Sequence, residues 1–283
     1  MAADVLTRRD LLRRAAATVP FALLGAAPPA RAGALTLASV KAAGLLRIGC
    51  EAAYVPFTFR DPKGAIIGYD VELADLVWGA YGIKPEFVDT AWAGIVPALY
   101  AGKFDLIMSS MSYTAERVKR LAFSIPYVEA SQALLIRAAD HDRIKRPEDL
   151  EGKVIGYKLG SPGEVLQKQL ADRRHIAYKA VRGFDNHPAA YAALDQSVVD
   201  AVFNTVPSLA IVMKDAPGRY ALVRGIGADN WAGVAARLDD VELIRHVDTV
   251  LTKLKADGRL YKLQEKWFGF RMQLADKIPS FDS

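Results

Sequence analysis

The run Ser109-Ser110-Met111-Ser112-Tyr113-Thr114-Ala115-Glu116-Arg117 gathers several hydroxyls and one guanidinium within a few residues. The chemistry these groups suit is anion binding. Hydroxyls donate hydrogen bonds, and an arginine grips a carboxylate through two parallel N–H···O bonds. The apolar run Phe104-Asp105-Leu106-Ile107-Met108 before it reads as a buried strand, and Ala115 to Leu121 after it reads as a short basic helix. A strand that passes through a hydroxyl-rich turn into a helix start also presents free backbone N–H groups to the same anion. A second reading fits the same residues: Ser112 or Thr114 caps the helix, and Arg117 is a solvated surface charge. The local sequence leaves both open.

The elements around this turn alternate between strand and helix. Leu45 to Cys50 is a short apolar strand, and Ala65 to Tyr69 is a second extended piece. Asp70 to Tyr81 follows as an amphipathic helix, with Asp70 as cap, Val71, Ala74, Leu76, Val77 and Ala80 as its apolar face, and Gly82 as its end. Lys84 to Val88 is a strand, Gly94 to Ala101 a helix closed by Gly102, and Asp105 to Met108 a strand. The pattern then restarts with strands at Ala133 to Arg137, Val154 to Tyr157 and Asp200 to Phe203. Helices at Glu164 to Asp172, His187 to Gln196 and Pro207 to Lys214 alternate with them. Val241 to Phe268 is helical by period, broken at Gly258. Two βα runs in tandem predict an α/β protein with two lobes of one class, each a largely parallel sheet covered by helices.

Residues 1–32 have the anatomy of an export signal. Thr7-Arg8-Arg9-Asp10-Leu11-Leu12 is a twin-arginine pattern, Ala15 to Ala27 is apolar, and Ala30-Arg31-Ala32 offers small residues for cleavage. The apolar stretch is shorter than the ~20 residues a spanning helix needs, although an uncleaved anchor is the alternative. The leader has no cysteine, which argues against a lipoprotein. It carries five arginines against two acids, so the chain's net +5 falls to +2 once it is removed. The remaining cations are scattered, with no basic stripe or module of the kind that binds nucleic acid. Cys50 is the single cysteine, so no internal disulfide can form. His141, His175, His187 and His246 lack metal-ligand spacing, and no P-loop occurs. Neither a metal nor another cofactor is expected.

Several stretches together resemble one family, the polar amino-acid-binding proteins of bacterial ABC importers (family 3 solute-binding proteins). They are Leu46-Arg47-Ile48-Gly49 with Tyr54-Val55-Pro56-Phe57, Gly68-Tyr69-Asp70-Val71-Glu72-Leu73-Ala74, and Trp92 with Ile95-Val96-Pro97-Ala98-Leu99. Gly102-Lys103-Phe104-Asp105-Leu106-Ile107, Phe123-Ser124-Ile125-Pro126-Tyr127 and Asp149 to Gly156 follow in order, then Lys255-Ala256-Asp257-Gly258 with Glu265-Lys266-Trp267-Phe268-Gly269. Any one of these is weak; their order is what makes the resemblance specific. It implies a type II periplasmic-binding-protein fold: two α/β lobes joined by a two-stranded hinge, with the ligand in the cleft. Lobe 1 would comprise residues 33–128 plus 228–283, and lobe 2 residues 129–227. A soluble periplasmic monomer that delivers its ligand to a membrane ABC permease is the implied function, with ATP hydrolysis left to the partner.

The resemblance also implies a site. Tyr54 and Trp92 would sandwich the ligand's side chain, and Ser110, Ser112 and Arg117 would hold its α-carboxylate. Glu51 falls in the pocket wall, where an acid can reach a basic ligand's charge but also occurs in relatives with other ligands. Two positions depart from the family pattern. The second-lobe loop reads Gly160-Ser161-Pro162-Gly163, so Pro162 offers neither hydroxyl nor N–H and only Ser161 can contribute. At the position where the family places an Asp for the ligand's ammonium stands Thr205, preceded by Asn204. Burying an ammonium there without an acid is costly; Glu164 and Asp185 are the acids that could substitute. The expected ligand is a small carboxylate, an amino acid or a related organic acid. The alternatives are a dehydratase-like periplasmic enzyme, with Glu51 or Glu164 as its acid, or a ligand-sensing module.

Overall fold

The computed structural model describes residues 34–281; the export signal expected at 1–32 lies outside them. Strands β1 (Leu45–Cys50), β5 (Lys84–Asp89) and β6 (Leu106–Ser112) run parallel, with β1 between the other two. Strand β14 (Trp231–Ala236) joins β6 antiparallel and pairs in turn with the short β7 (Ala122–Phe123) and β8 (Val128–Glu129). A small antiparallel sheet, β2 (Ala53–Tyr54), β3 (Thr58–Arg60) and β4 (Ile66–Ile67), sits beside β1 in sequence. The second large sheet repeats the plan. Strand β10 (Val154–Lys158) lies between the parallel β11 (Ala180–Phe184) and β12 (Ala201–Thr205). Strand β9 (Gln132–Arg137) is antiparallel to β12, and β13 (Tyr220–Val223) to β9.

Helices cover both faces of each sheet, so both lobes have cores on two sides. In the first lobe, α1 (Leu37–Ala43), α2 (Tyr69–Trp78), α8 (Val241–Ala256) and α9 (Arg259–Phe268) enclose Leu46, Ile48, Leu73, Trp78, Val247 and Leu251. The other face buries Leu99, Phe104, Ile107 and Met111, with α3 (Ile95–Tyr100) and α4 (Ala115–Arg120) beside it. In the second lobe, α5 (Pro162–Arg174) covers Leu134, Ile155 and Phe203. There α6 (His187–Asp195) and α7 (Val206–Asp215) cover Leu135, Val202 and Leu209 on the opposite face. Among the described residues no helix is long and apolar enough to cross a membrane. Two chain crossings join the lobes side by side: the Ala130 N–H donates to the Asn230 carbonyl (2.8 Å), and the Asn230 N–H to the Ser131 hydroxyl (3.1 Å).

Three local features differ from the sequence reading. The strand before Arg117 does not stop at Met108 but continues through Ser112. Within it Ser110 takes the left-handed φ of 50°, where the pairing with β14 shifts register. Gly68, not Asp70, stands at the start of α2, with φ 138° and its Cα so close to the Phe57 carbonyl that a Cβ would approach that oxygen to 2.2 Å. Asp70 is instead wholly buried inside the helix, and the buried face is Tyr69, Asp70, Leu73, Ala74, Val77 and Trp78.

Candidate functional site

In each large sheet the strand that comes first among the parallel ones lies in the middle, with its successors on either side. The chain therefore leaves β1 and β10 in a crevice outside the strands' carboxyl ends, the place where open α/β sheets bind ligands. Glu51 is the residue after β1, and Lys158 is the last residue of β10. Ser110 and Ser112 end β6, and Thr205 ends β12. The two crevices face each other, and the lobes are closed on one another through these residues.

The Lys158 ammonium donates to a Glu51 carboxylate oxygen, lobe to lobe. Both side chains are buried, Lys158 at 2 % exposure and Glu51 at 5 %. The same ammonium lies 4.6 Å from the centre of the Tyr54 ring and 4.5 Å from that of Trp92, an arrangement in which each ring's negative face attracts the cation. Burial pushes the lysine pKa down, and the adjacent Glu51 opposes that shift. The backbone of Glu51 is fixed from behind. Its N–H donates to the Ser109 hydroxyl, and its carbonyl accepts from the Thr58 hydroxyl.

Tyr54 reaches across to the second lobe. Its hydroxyl is 2.9 Å from the Thr205 hydroxyl and 3.2 Å from the Asn204 side-chain oxygen. Its ring packs on Phe57 at 4.7 Å and on His187 at 5.2 Å. Burial, reinforced by the Lys158 charge, holds the His187 pKa well below its ordinary value, so the imidazole is neutral. Asn204 donates to the hydroxyls of Tyr191 and Ser208, and Ser208 donates to the Val55 carbonyl of the first lobe.

Arg117 closes the other end. Thr114 caps its helix, accepting from the Arg117 N–H (3.1 Å), so the capping reading of that threonine holds. The guanidinium, however, is half-buried and turned inward. It donates to the Ser112 carbonyl at 2.9 Å and, across the cleft, to the Gly160 carbonyl at 2.8 Å. The Trp92 indole N–H donates to the same Gly160 carbonyl (3.1 Å). Burial lowers the Arg117 pKa to about 10, which leaves it charged at neutral pH. Pro162 occupies the first turn of α5, where its missing N–H costs nothing. The Glu164 carboxylate accepts from the Gly160 N–H at the cleft rim, and Asp185 is exposed; neither lines the enclosed space beside Thr205.

That space is about 20 Å³, roughly the room of one water molecule. Tyr54, Trp92, Ser110, Ser112, Ser161 and Thr205 all line it, together with Gln132, Lys158, His187 and Asn204. A larger cavity of about 410 Å³ adjoins it and is lined by Trp92, Arg117, Ser161 and Glu164 among others. The sequence-derived residues thus converge on one place, with Glu51 behind Lys158 and Arg117 at the mouth. Sequence reasoning missed Lys158, His187 and Gln132. The Ser110 and Ser161 hydroxyls are buried and without hydrogen-bond partners among the described residues. The backbone of Ser110 is held in its strained form by its N–H, which donates to the Tyr127 hydroxyl (3.0 Å). The Cys50 thiol lies nearby, but burial raises its pKa to about 12 and keeps it unreactive. Among the described residues no cluster of His, Cys, Asp and Glu is arranged to hold a metal ion.

Comparison with known proteins agrees with this architecture. The L-cystine-binding protein TcyJ of Escherichia coli (strain K12) is 28% identical over 233 residues, covering 82% of this chain and 86% of that protein. The ABC transporter arginine-binding protein 1 of the same organism is 29% identical over 231 residues, covering 80% of this chain and 92% of its own. Among solved structures, the ancestral amino acid-binding protein AncCDT-1, a precursor of cyclohexadienyl dehydratase, superposes with a TM-score of 0.75 at 36% identity. That match covers 82% of this chain and 98% of the ancestral one. Residues 46–270 match the family described as bacterial extracellular solute-binding proteins, family 3. The chain belongs to that family, and its fold is that of the type II periplasmic binding proteins.

Proposed function

We propose that this chain is the periplasmic substrate-binding component of an ABC importer and captures a small carboxylate-bearing solute, an amino acid or a related organic acid, by closure of its two lobes. The curated relatives are binding proteins for cystine and arginine, which supports the solute class. The observation that carries the reading is Arg117. Its guanidinium already bridges the lobes through two carbonyls, in the cavity that adjoins the Ser110 and Ser161 hydroxyls, which have no partner among the described residues. A carboxylate placed there would take these donors and tie the lobes together, which is how a ligand drives hinge closure. We take residues 33–128 with 228–283 as lobe 1 and 129–227 as lobe 2. The ligand contacts are Glu51, Tyr54, Trp92, Ser110, Ser112, Arg117, Ser161 and Thr205.

The chain is read as a binder, not an enzyme. Glu51 is tied to Lys158 and Glu164 to a backbone N–H, so each candidate acid is already engaged by a donor. Export by the twin-arginine route, action as a monomer and delivery to a membrane permease complete the reading. Calorimetric titration of the ligand that a carboxylate panel identifies tests it. Arg117→Ala should weaken binding by at least ~2 kcal/mol, about thirtyfold; an unchanged affinity would show that the clamp is not at Arg117.

A further inference from the structure

Two aromatic faces with a buried carboxylate between them make a receptor for a cation. Here the protein fills that receptor itself. The Lys158 ammonium stands within 4.6 Å of both ring centres, paired with Glu51 from the opposite lobe. Glu51 is the carboxylate that faces the cage, and Lys158 consumes it. Among the described residues no carboxylate lines the small space itself, where Thr205 and Asn204 stand beside Lys158. The groups left over are donors. They are the remaining N–H bonds of Lys158, the Arg117 N–H bonds not given to Ser112 and Gly160, and the hydroxyls of Ser110 and Ser161, residues at 3 % and 6 % exposure whose hydroxyls have no partner among the described residues. A site with surplus donors around a buried cation whose acid is already committed is matched by an anion and penalises a second cation.

We propose that Lys158 sets the specificity of this pocket: as a tethered cation in the aromatic cage it excludes basic side chains and selects a compact carboxylate that carries no cationic group. The inference rests on the carboxylate-binding reading above and narrows it. It also explains why the space is small, because the ammonium fills volume that a ligand side chain would otherwise use. A compact acid enters by parting the Arg117–Gly160 contact and takes up the Arg117 and serine donors, while Lys158 stays on Glu51.

The full chain is screened by thermal shift and then by calorimetry with three probe sets: amine-free acids such as pyruvate and succinate, neutral amino acids, and L-lysine with L-arginine. The wild type should bind an amine-free acid at least tenfold more tightly than any amino acid, and should ignore the basic ones. Lys158→Ala opens the cage and frees Glu51. That variant should gain L-lysine binding by at least thirtyfold over wild type, and n-propylammonium should restore its melting temperature in a saturable way that sodium chloride at equal strength does not. Lys158→Met, which keeps the apolar stem, gives the same reading with a filled core if the alanine variant folds poorly. Wild-type protein that prefers L-lysine, L-arginine or a neutral amino acid overturns the proposal, as does a folded variant with an unchanged ligand profile. If no carboxylate at all binds the wild type, the broader reading fails; rescue by alkylammonium still reports on the cage alone.

Discussion

The hydroxyls of Tyr54 and Thr205 lie 2.9 Å apart across the interlobe cleft. The Tyr54 hydroxyl also lies 3.2 Å from the Asn204 side-chain oxygen, an acceptor, and either hydroxyl can supply the proton of the 2.9 Å bond. Tyr54 therefore joins the two lobes through a short relay instead of merely stacking in the cage.

This relay makes a prediction about closure. A typical net hydrogen bond is worth about 1 kcal/mol, roughly a fivefold change in an equilibrium. Tyr54→Phe keeps the ring against Phe57 and His187 but removes both of its bonds to the second lobe, and should shift the lobes toward the open form by more than that factor. Thr205→Val removes only the shared bond and should shift them about fivefold, and the double variant should add little beyond Tyr54→Phe, with a coupling of about 1 kcal/mol. Interlobe fluorescence energy transfer, with dyes on the outer faces, measures the shift. Fully additive effects would mean that the two hydroxyls act separately.

Much of the fold was legible because buried strands are apolar runs bounded by glycine. Leu45–Cys50 is an instance where reading and structure coincide. The misreadings are polar residues inside the core. Ser109 to Ser112 read as a turn, yet they continue β6, since Ser109 bonds to Thr58 and the Ser110 N–H to Tyr127. Local pattern cannot show partners so far along the chain. Lys158 was missed for the same reason: a lysine that ends an apolar strand reads as surface, and its partner Glu51 is 107 residues away. One signal could have found it. Both residues stand at the exit of the leading strand in two tandem βα runs, where the crevices must form.

The Gly160 carbonyl receives both the Trp92 indole and the Arg117 guanidinium, and its φ of 70° is left-handed. An added Cβ would sit 3.4 Å from the Ala93 Cα and 3.5 Å from the Trp92 ring, so space is tight but sufficient. The cost of Gly160→Ala is therefore mostly conformational, about 1–2 kcal/mol for a left-handed L-residue. The variant should melt about 2–8 °C lower as the carbonyl turns away from the Trp92 and Arg117 donors. Gly160→Asn, which tolerates this conformation better, should recover most of that loss. Calorimetry of the three proteins with and without ligand decides the point, and an alanine variant equal to wild type would free the loop of this constraint.

Asp70 lies wholly buried beneath Ser110, with the Tyr127 hydroxyl and the Ser110 backbone as neighbours. Burial raises its pKa to about 8, more than these hydrogen-bonding groups lower it, so the carboxyl is mostly protonated near neutral pH. In the unfolded chain it titrates near 3.9. Between those values the folded protein holds one more proton than the unfolded chain, so stability falls as pH rises from about 4 to about 8 and levels off above. Asp70→Asn keeps the shape and cannot ionise. The stability difference between variant and wild type should then grow with pH by up to ~1.4 kcal/mol per unit across this window. Urea unfolding at pH 5, 6.5 and 8 measures that difference directly. A variant that parallels the wild type at all three would place the Asp70 proton elsewhere and remove the neutral carboxyl from the support of Ser110.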